Sequence, residues 1–195
     1  MRGPTCRAWV GLLGAVLIGA GCASSPMSQS EGGYRHRRHD YTIARPDGPG
    51  EAWQRVTADG AVLAFRRPGP ESMGLESRCG RPVAEPAFMA RHLLIGLREH
   101  TLAAAGPTQV DGRDAWSQTL DTVQEDVSVR IKTVTLVAAG CSFDWILMTA
   151  GSFEPAEQAF DAWWGSFRLA PRYDEESEEE SDEVSDEESG EDRGA

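Results

Sequence analysis

The stretch VSVRIKTVTLVAAGCSFDWILMTA, residues 127–150, contains two long runs in which apolar and polar side chains alternate. The first run alternates from Val127 to Ile131, and the second alternates from Phe143 to Leu147. A period of two places one set of side chains on each face of a β-sheet. Because both runs exceed the usual strand length of about 5–6 residues, they predict a long hairpin at the centre of a sheet, turning at the Ala-Ala-Gly between them.

The segments on either side of this hairpin predict further strands and two helices. They are a hairpin of residues 53–57 and 61–65 around Asp59-Gly60, a strand at 73–79, a helix at 88–102, a strand at 115–123 and a helix at 156–167. Asp-Gly between apolar runs favours a hairpin turn. Strands and helices are grouped in this order and do not alternate regularly, which indicates an α+β fold, an antiparallel sheet with helices packed on it.

The second predicted helix has four large aromatic residues at helical spacing: Phe160, Trp163, Trp164 and Phe167. Most of them are expected to pack in the core against the sheet. Adjacent residues on a helix point in different directions, so Trp163 and Trp164 cannot both face the core. One of these two tryptophans is therefore a candidate contact for a partner, the alternative being an edge position of the helix.

Residues 1–21 have the pattern of a secretory signal peptide, with Arg2 and Arg7 before an eleven-residue apolar segment. That segment is shorter than the about 20 residues that span a bilayer. The sequence LIGAGC, which ends at Cys22, resembles the lipobox of bacterial lipoproteins. The resemblance implies cleavage before Cys22 and attachment of a diacylglycerol and an acyl chain to it. Ala23 and Ser24 follow, a pair that in this family implies the outer membrane. The alternative is secretion without a lipid.

Residues 22–50 are predicted to be a flexible tether, because Ser, Gly and Pro dominate and few apolar residues are present. The tether contains the basic sequence YRHRRHDY, residues 34–41. Such a segment near a membrane could contact anionic head groups. It could also bind a metal through His36, His39 and Asp40, or be a solvated piece of linker.

The negative charge of the chain is concentrated at its C-terminus. Residues 174–195 contain 13 acidic residues and one arginine, so this segment alone accounts for the formal net charge of -12. We predict that residues 173–195 form a disordered acidic tail and that residues 51–172 form the globular domain. No basic face dominates the domain, so nucleic acid is not an expected partner.

Two cysteines remain after the signal peptide and the lipidation site are set aside. Cys79 and Cys141 are the remaining pair, and in an exported chain they most simply form one disulfide. A redox-active pair is disfavoured, because the chain has no Cys-x-x-Cys motif and no histidine follows or precedes either thiol.

Several segments together resemble bacterial envelope lipoproteins whose overall pattern is similar to the PsbP-like fold. They are Cys79-Gly80, residues 90–97, residues 110–113, residues 140–144 and residues 160–167, so the similarity covers about 51–170. The resemblance implies an α/β/α sandwich around an antiparallel sheet and a role as a binding or assembly module. It carries no catalytic residues over to this chain.

No motif for a known enzyme class is present, since the sequence lacks a Gly-rich phosphate loop, a zinc signature and a nucleophile elbow. We therefore expect no catalytic residues, metal, cofactor or small-molecule substrate. The predicted function is a lipid-anchored, non-catalytic binding or assembly module of the cell envelope with a protein partner. The alternatives are a passive surface lipoprotein whose acidic tail binds cations or a basic partner, and an enzyme whose site is assembled from distant residues.

Overall fold

The computed structural model describes residues 27–47, 52–80, 83–97 and 99–170. Its strands are β1 (Met27–Ser30), β2 (Gly33–His36), β3 (Tyr41–Ala44), β4 (Gln54–Val56), β5 (Leu63–Arg67), β6 (Glu71–Cys79), β7 (His100–Val110), β8 (Arg113–Gln124), β9 (Val127–Ala138), β10 (Cys141–Thr149) and β11 (Arg168–Leu169). Its helices are α1 (Pro86–His92) and α2 (Phe153–Gly165).

The strands form a large sheet of seven strands and a small sheet of four. The order in the large sheet is β4-β5-β6-β10-β9-β8-β7, and the order in the small sheet is β1-β2-β3-β11. All neighbouring strands are antiparallel. Strand β10 has three strands on each side, so the predicted position of the long hairpin at the centre of the sheet is confirmed. The predicted α+β class is also confirmed.

The β9–β10 hairpin turns where the sequence predicts. Ala138 pairs with Cys141, and the two residues between them have positive φ, 52° at Ala139 and 70° at Gly140. Two-residue hairpin loops require this left-handed backbone because it matches the twist of the flanking strands. Glycine adopts it without a steric penalty, which makes Gly140 the residue that favours the turn at this position.

The core lies on one face of the large sheet. Phe143, Trp145 and Leu147 of β10 are fully buried on this face, and the ring of Phe167 packs within 5.1 Å of Phe143 and 5.0 Å of Trp145, measured between ring centroids. Helix α2 and the small sheet cover this face. Helix α1 covers part of the opposite face over β8 and β9, where the side-chain amide of Gln118 donates a hydrogen bond to the carbonyl of Ala90 at 2.9 Å.

Lysine appears once in the chain, and it fixes α2 to the large sheet. The Nζ of Lys132 on β9 lies 2.8 Å from Glu157 Oε1 and 2.8 Å from Asp161 Oδ1. Burial alone would lower the pKa of Lys132, but the hydrogen bonds and charges of Asp161 and Glu157 outweigh it and raise the pKa. The ammonium group therefore stays charged and joins the strand to the middle of the helix.

The prediction of a flexible tether at residues 22–50 is wrong for residues 27–47. This segment forms β1, β2 and β3, in which Tyr34, Tyr41 and Ile43 are buried. These few side chains are enough to order the segment because they pack on the aromatic core and are not left in solvent. The ring of Tyr41, for example, lies edge-on to Phe143 at 5.4 Å. Residues 22–26 and 48–50 lie outside the described residues.

The predicted helix at residues 88–102 is correct only in its first part. Helix α1 ends at His92, and a turn carries the chain to Gly96, which has a φ of 103°. A left-handed residue cannot continue an α-helix, and glycine is the residue that adopts it most readily. The remainder of the predicted helix enters β7, which begins at His100 and pairs with β8 except at Ala103, where the register shifts.

Candidate interaction surface

The chain enters and leaves the domain at the same end of the small sheet. Met27 on β1 pairs with His36 on β2, His36 pairs with Tyr41 on β3, and Tyr41 pairs with Leu169 on β11. These four residues form one row across the sheet. Because neighbouring strands are about 4.8 Å apart, Met27 and Leu169 both lie within about 10 Å of the β2–β3 connection, which is the turn of residues 37–40.

This turn and the outer face of the small sheet are rich in arginine. Arg37 and Arg38 are exposed in the turn and form no ion pair within the described residues. Arg35 on β2 pairs with Thr42, which pairs with Arg168 on β11, so these two arginines share the outer face. We call Arg35, Arg37, Arg38 and Arg168 the basic turn surface. The basic segment 34–41 is thus part of β2, an exposed turn and the first residue of β3, and not linker.

One carboxylate lies within the turn itself. Asp40 has a φ of 45° and accepts a hydrogen bond from Arg35 at 2.8 Å. The side chains of Arg35 and Asp40 are 61% and 56% exposed, so this ion pair is solvated and contributes little to stability. Arg168 lies 3.8 Å from Asp111, a carboxylate that also pairs with Arg113 at 2.8 Å. The basic turn surface therefore keeps a net positive charge.

The histidines of this segment belong to the packing beneath the turn. His36 is buried, and its ring stacks on His39 at 4.2 Å and on Tyr41 at 5.0 Å. The backbone N–H of His39 donates to Nδ1 of His36 at 3.0 Å. Burial, with the nearby His39 and the charge of Arg38, lowers the pKa of His36 to about 4. His36 is therefore neutral near pH 7.

The structure gives no support to a metal site in this segment. The Nδ1 of His36 is occupied by the backbone of His39, and Asp40 is held by Arg35. Among residues 27–47, 52–80, 83–97 and 99–170, no group of three or more His, Cys, Asp or Glu side chains is placed to hold a metal ion. The alternative that His36, His39 and Asp40 together bind a metal is therefore not favoured.

A second candidate surface is the outer edge of β7. This strand is the last in the large sheet and pairs only with β8 among the described strands. Residues 101–110 carry no charged side chain, and almost all of the strand is exposed. Leu102, the large apolar residue of this edge, is 54% exposed. Long, uncharged edge strands expose unpaired backbone groups to which another strand can add. This edge was missed in the sequence because Ala and Gly dominate residues 103–106.

A groove of about 550 Å³ lies at the end of β7, between Glu99, Thr101 and the ends of β8, β9 and β10. Its central charges satisfy each other, because Asp121 accepts two hydrogen bonds from Arg130, at 2.6 and 2.9 Å. The hydrogen bonds and charge of Arg130 lower the pKa of Asp121. A carboxylate held in its charged form by a guanidinium is a weak general base, so this pair does not suggest catalysis.

The predicted cysteine pair is brought together by the large sheet. Cys79 at the end of β6 is the register partner of Cys141 at the start of β10, with a Cα–Cα distance of 4.1 Å. The structure joins their sulfur atoms. Met27, the first described residue, begins β1 five residues after the predicted lipidation site Cys22, which lies outside the described residues, as does the acidic tail.

The two adjacent tryptophans of α2 have different environments. Trp163 is buried, with its Nε1 donating to the carbonyl of Ala44 at 3.1 Å and its ring edge-on to Phe65 at 5.3 Å. Trp163 is therefore the one of the two tryptophans that faces the core, and it is not available to a partner. Trp164 is half-buried, and its Nε1 donates to Asp161 at 2.9 Å. It remains the accessible member of the pair.

A comparison with solved structures identifies the architecture. The solution structure of cyanobacterial PsbP (CyanoP) from Synechocystis aligns with 83% of this chain and 99% of its own length, with a TM-score of 0.55 and 16% sequence identity. The fold is PsbP-like. The PsbP-like fold expected from the sequence is thus confirmed, and at this identity the similarity establishes the fold alone.

Two other solved structures resemble this PsbP-like chain more weakly. LpqN, involved in cell envelope biogenesis of Mycobacterium tuberculosis, covers 69% of this chain and 86% of its own, with 17% identity and a TM-score of 0.46. The Ran-binding protein Mog1p of Saccharomyces cerevisiae covers 66% and 89%, with 12% identity and a TM-score of 0.47. No protein-family model and no curated protein sequence matches this PsbP-like chain.

Proposed function

We propose that the protein is a lipid-anchored, non-catalytic module of the bacterial cell envelope that binds a protein partner through the outer edge of β7. The observation that carries this proposal is the mostly exposed outer edge of β7, which carries no charged side chain from residue 101 to residue 110 and has room for a partner strand. Strand addition uses the backbone for affinity and the alternating side chains for specificity. The proposed location is the outer membrane, and the proposed anchor is the acylated Cys22.

The arrangement of the domain is compatible with such an anchor. Within the described residues, no helix has both the length and the apolar character needed to cross a bilayer. Met27 is five residues after Cys22, so the acylated residue would lie within about 18 Å of the start of β1. The basic turn surface is at this end of the small sheet and would face the anionic head groups, whereas β7 is at an edge of the other sheet.

A photo-crosslinking experiment in cells tests the partner surface. A photoreactive amino acid replaces Gln109, an exposed residue of β7, and the matched control replaces Gln54, an exposed residue of the opposite edge strand β4. We expect an adduct with one envelope protein from position 109 and none from position 54. Equal labelling from both positions would contradict the proposal, and an adduct of the chain with itself would make the edge a self-association surface.

A backbone substitution tests whether strand addition forms this contact. Pro107 occupies β7 without an N–H, and prolines in edge strands direct the nitrogen away from the sheet. Alternate residues share this direction, so we expect the N–H of Ala105 to point outward as well. Ala105→Pro should remove the adduct, whereas Ala105→Ser, which keeps the N–H, should retain it. An adduct that survives Ala105→Pro would exclude pairing at this point of the edge.

A further inference from the structure

We propose that the acidic segment 174–195 of this chain binds the basic turn surface of its own domain. This intramolecular contact would occupy the arginines that otherwise face anionic head groups. The proposal goes beyond the anchor and the partner edge. It depends on neither, because it concerns two parts of the same chain that the fold brings close together.

The last described residue of the chain lies against the turn of the basic turn surface. The backbone N–H of Ala170 donates a hydrogen bond to the carbonyl of Asp40 at 2.9 Å, so the chain leaves the domain against the turn of residues 37–40. The acidic segment begins at Asp174, four residues later. Four residues extend at most about 14 Å, so the first carboxylates cannot be far from Arg37 and Arg38.

The basic turn surface and the acidic segment are opposite in charge. Arg37 and Arg38 form no ion pair within the described residues, and Arg35 pairs only with the exposed Asp40. Guanidinium groups form their strongest hydrogen bonds with carboxylates, often in pairs of parallel bonds. The segment 174–195 supplies 13 carboxylates and one arginine. The basic turn surface is therefore complementary in charge to the segment that begins beside it.

Covalent connection favours the acidic segment over anions that are free in solution. A segment joined to its binding site by a short linker is present at an effective concentration in the millimolar range. Residues 171–173 are such a linker, since only three residues separate Ala170 from Asp174. Even contacts that are individually weak and solvated would then be populated. They should also be sensitive to salt, because exposed charges are screened at high ionic strength.

The test is zero-length carbodiimide crosslinking of the mature chain from residue 22, produced without acyl groups. Lys132 is the only lysine and already contacts Glu157 and Asp161, so its crosslinks serve as an internal positive control. Arg38→Lys adds one amine to the basic turn surface. The matched control is Arg66→Lys, an exposed position on the face of the large sheet opposite the small sheet.

Peptide mass mapping gives the readout. We expect the variant Arg38→Lys to form crosslinks to residues 174–195 that are at least fivefold more abundant than those of Arg66→Lys, and to lose them in 1 M NaCl. Equal crosslinking of both variants, or none to this segment from Arg38→Lys, would overturn the proposal. Adding vesicles of phosphatidylglycerol should reduce the crosslinks by competition, whereas vesicles of phosphatidylcholine should not. No reduction by phosphatidylglycerol would show that head groups do not share this surface. Failure of lipid attachment at Cys22 would not affect any of these results.

Discussion

The hydroxyl of Thr135 donates a hydrogen bond of 2.8 Å to the carboxylate of Asp144 between the two central strands, and both residues are buried. The strand partner of Asp144 on its other side is Glu76, which itself pairs with Arg78. Burial raises the pKa of Asp144 to about 6, against the opposing effects of the Thr135 hydrogen bond and the charge of Arg78, while the charge of Glu76 adds to the rise.

The raised pKa makes Asp144 a source of pH-dependent stability. The folded state binds the proton more tightly than the unfolded state, so the contribution of Asp144 is present at low pH and is lost as pH rises from about 4 to about 6. Asp144→Asn should remove this slope and increase the free energy of unfolding at pH 7.5 by up to about 3 kcal/mol. Urea unfolding across this pH range measures it. Asp114→Asn, at an exposed position, is the control, and a slope that persists in Asp144→Asn would contradict the assignment.

His36 should produce the opposite pH dependence. Its pKa falls to about 4 in the folded state from an ordinary value of 6.5, so the unfolded state takes up the proton first. Stability present above pH 6.5 is therefore lost as pH falls toward 4, by roughly 1–3 kcal/mol. His36→Asn should flatten this part of the profile in urea unfolding, and the exposed His100→Asn should not. Equal slopes in the two variants would refute the role of His36.

Cys79 and Cys141 are expected to stabilise the domain through a disulfide. A crosslink across a sequence separation of 62 residues contributes about 4 kcal/mol on the chain-entropy model. We expect reductant to lower the thermal midpoint of the wild-type protein and to leave that of a Cys79→Ser, Cys141→Ser variant unchanged. A wild-type midpoint that is the same with and without reductant would show that the bond contributes no stability.

The adjacent tryptophans of α2 offer a matched pair of substitutions. Trp163→Ala empties a fully buried position and breaks the hydrogen bond to Ala44, so it should cost about 3–5 kcal/mol of stability. Trp164→Ala removes a half-buried side chain and should cost about 1 kcal/mol. Chemical denaturation of both variants gives the comparison. Similar losses for the two would contradict the assignment of Trp163 to the core.

Period-two alternation was sufficient to predict the centre of the sheet. Strands β9 and β10 alternate strongly, and Ala139-Gly140 supplies the left-handed turn that joins them. Helix α2 was also predictable, because Phe160, Trp163 and Trp164 recur at helical spacing, although the helix is Phe153–Gly165 and not 156–167 as predicted. In both places local sequence preference and tertiary packing favour the same structure, and this agreement allows the structure to be predicted from the sequence.

The small sheet and β7 were harder to predict from the sequence. Each strand of the small sheet has only four residues or fewer, and its buried side chains become apolar contacts only when the core is present. The available signal was the period-two spacing of the residues that become buried, Tyr34 and His36 on β2 and Tyr41 and Ile43 on β3. Strand β7 is rich in alanine, which has a low preference for strands, and pairing with β8 overrides this preference.

The candidate surfaces show the same limit. The cysteine pair could be predicted by counting, since only Cys79 and Cys141 remain in the exported chain. The basic turn surface could be predicted only in part, because Arg168 is distant in sequence from Arg35 and the register of β11 with β3 brings them to one face. Surfaces that depend on strand register emerge only from the fold.

The intact mass of the protein extracted from membranes shows whether Cys22 carries a lipid anchor. We expect the mass of residues 22–195 plus one diacylglycerol and one amide-linked acyl chain. The variant Cys22→Ser should yield no lipid-modified product in the membrane fraction. An unmodified mass, or a chain that begins at another residue, would contradict the anchor and make the protein a secreted one without a lipid.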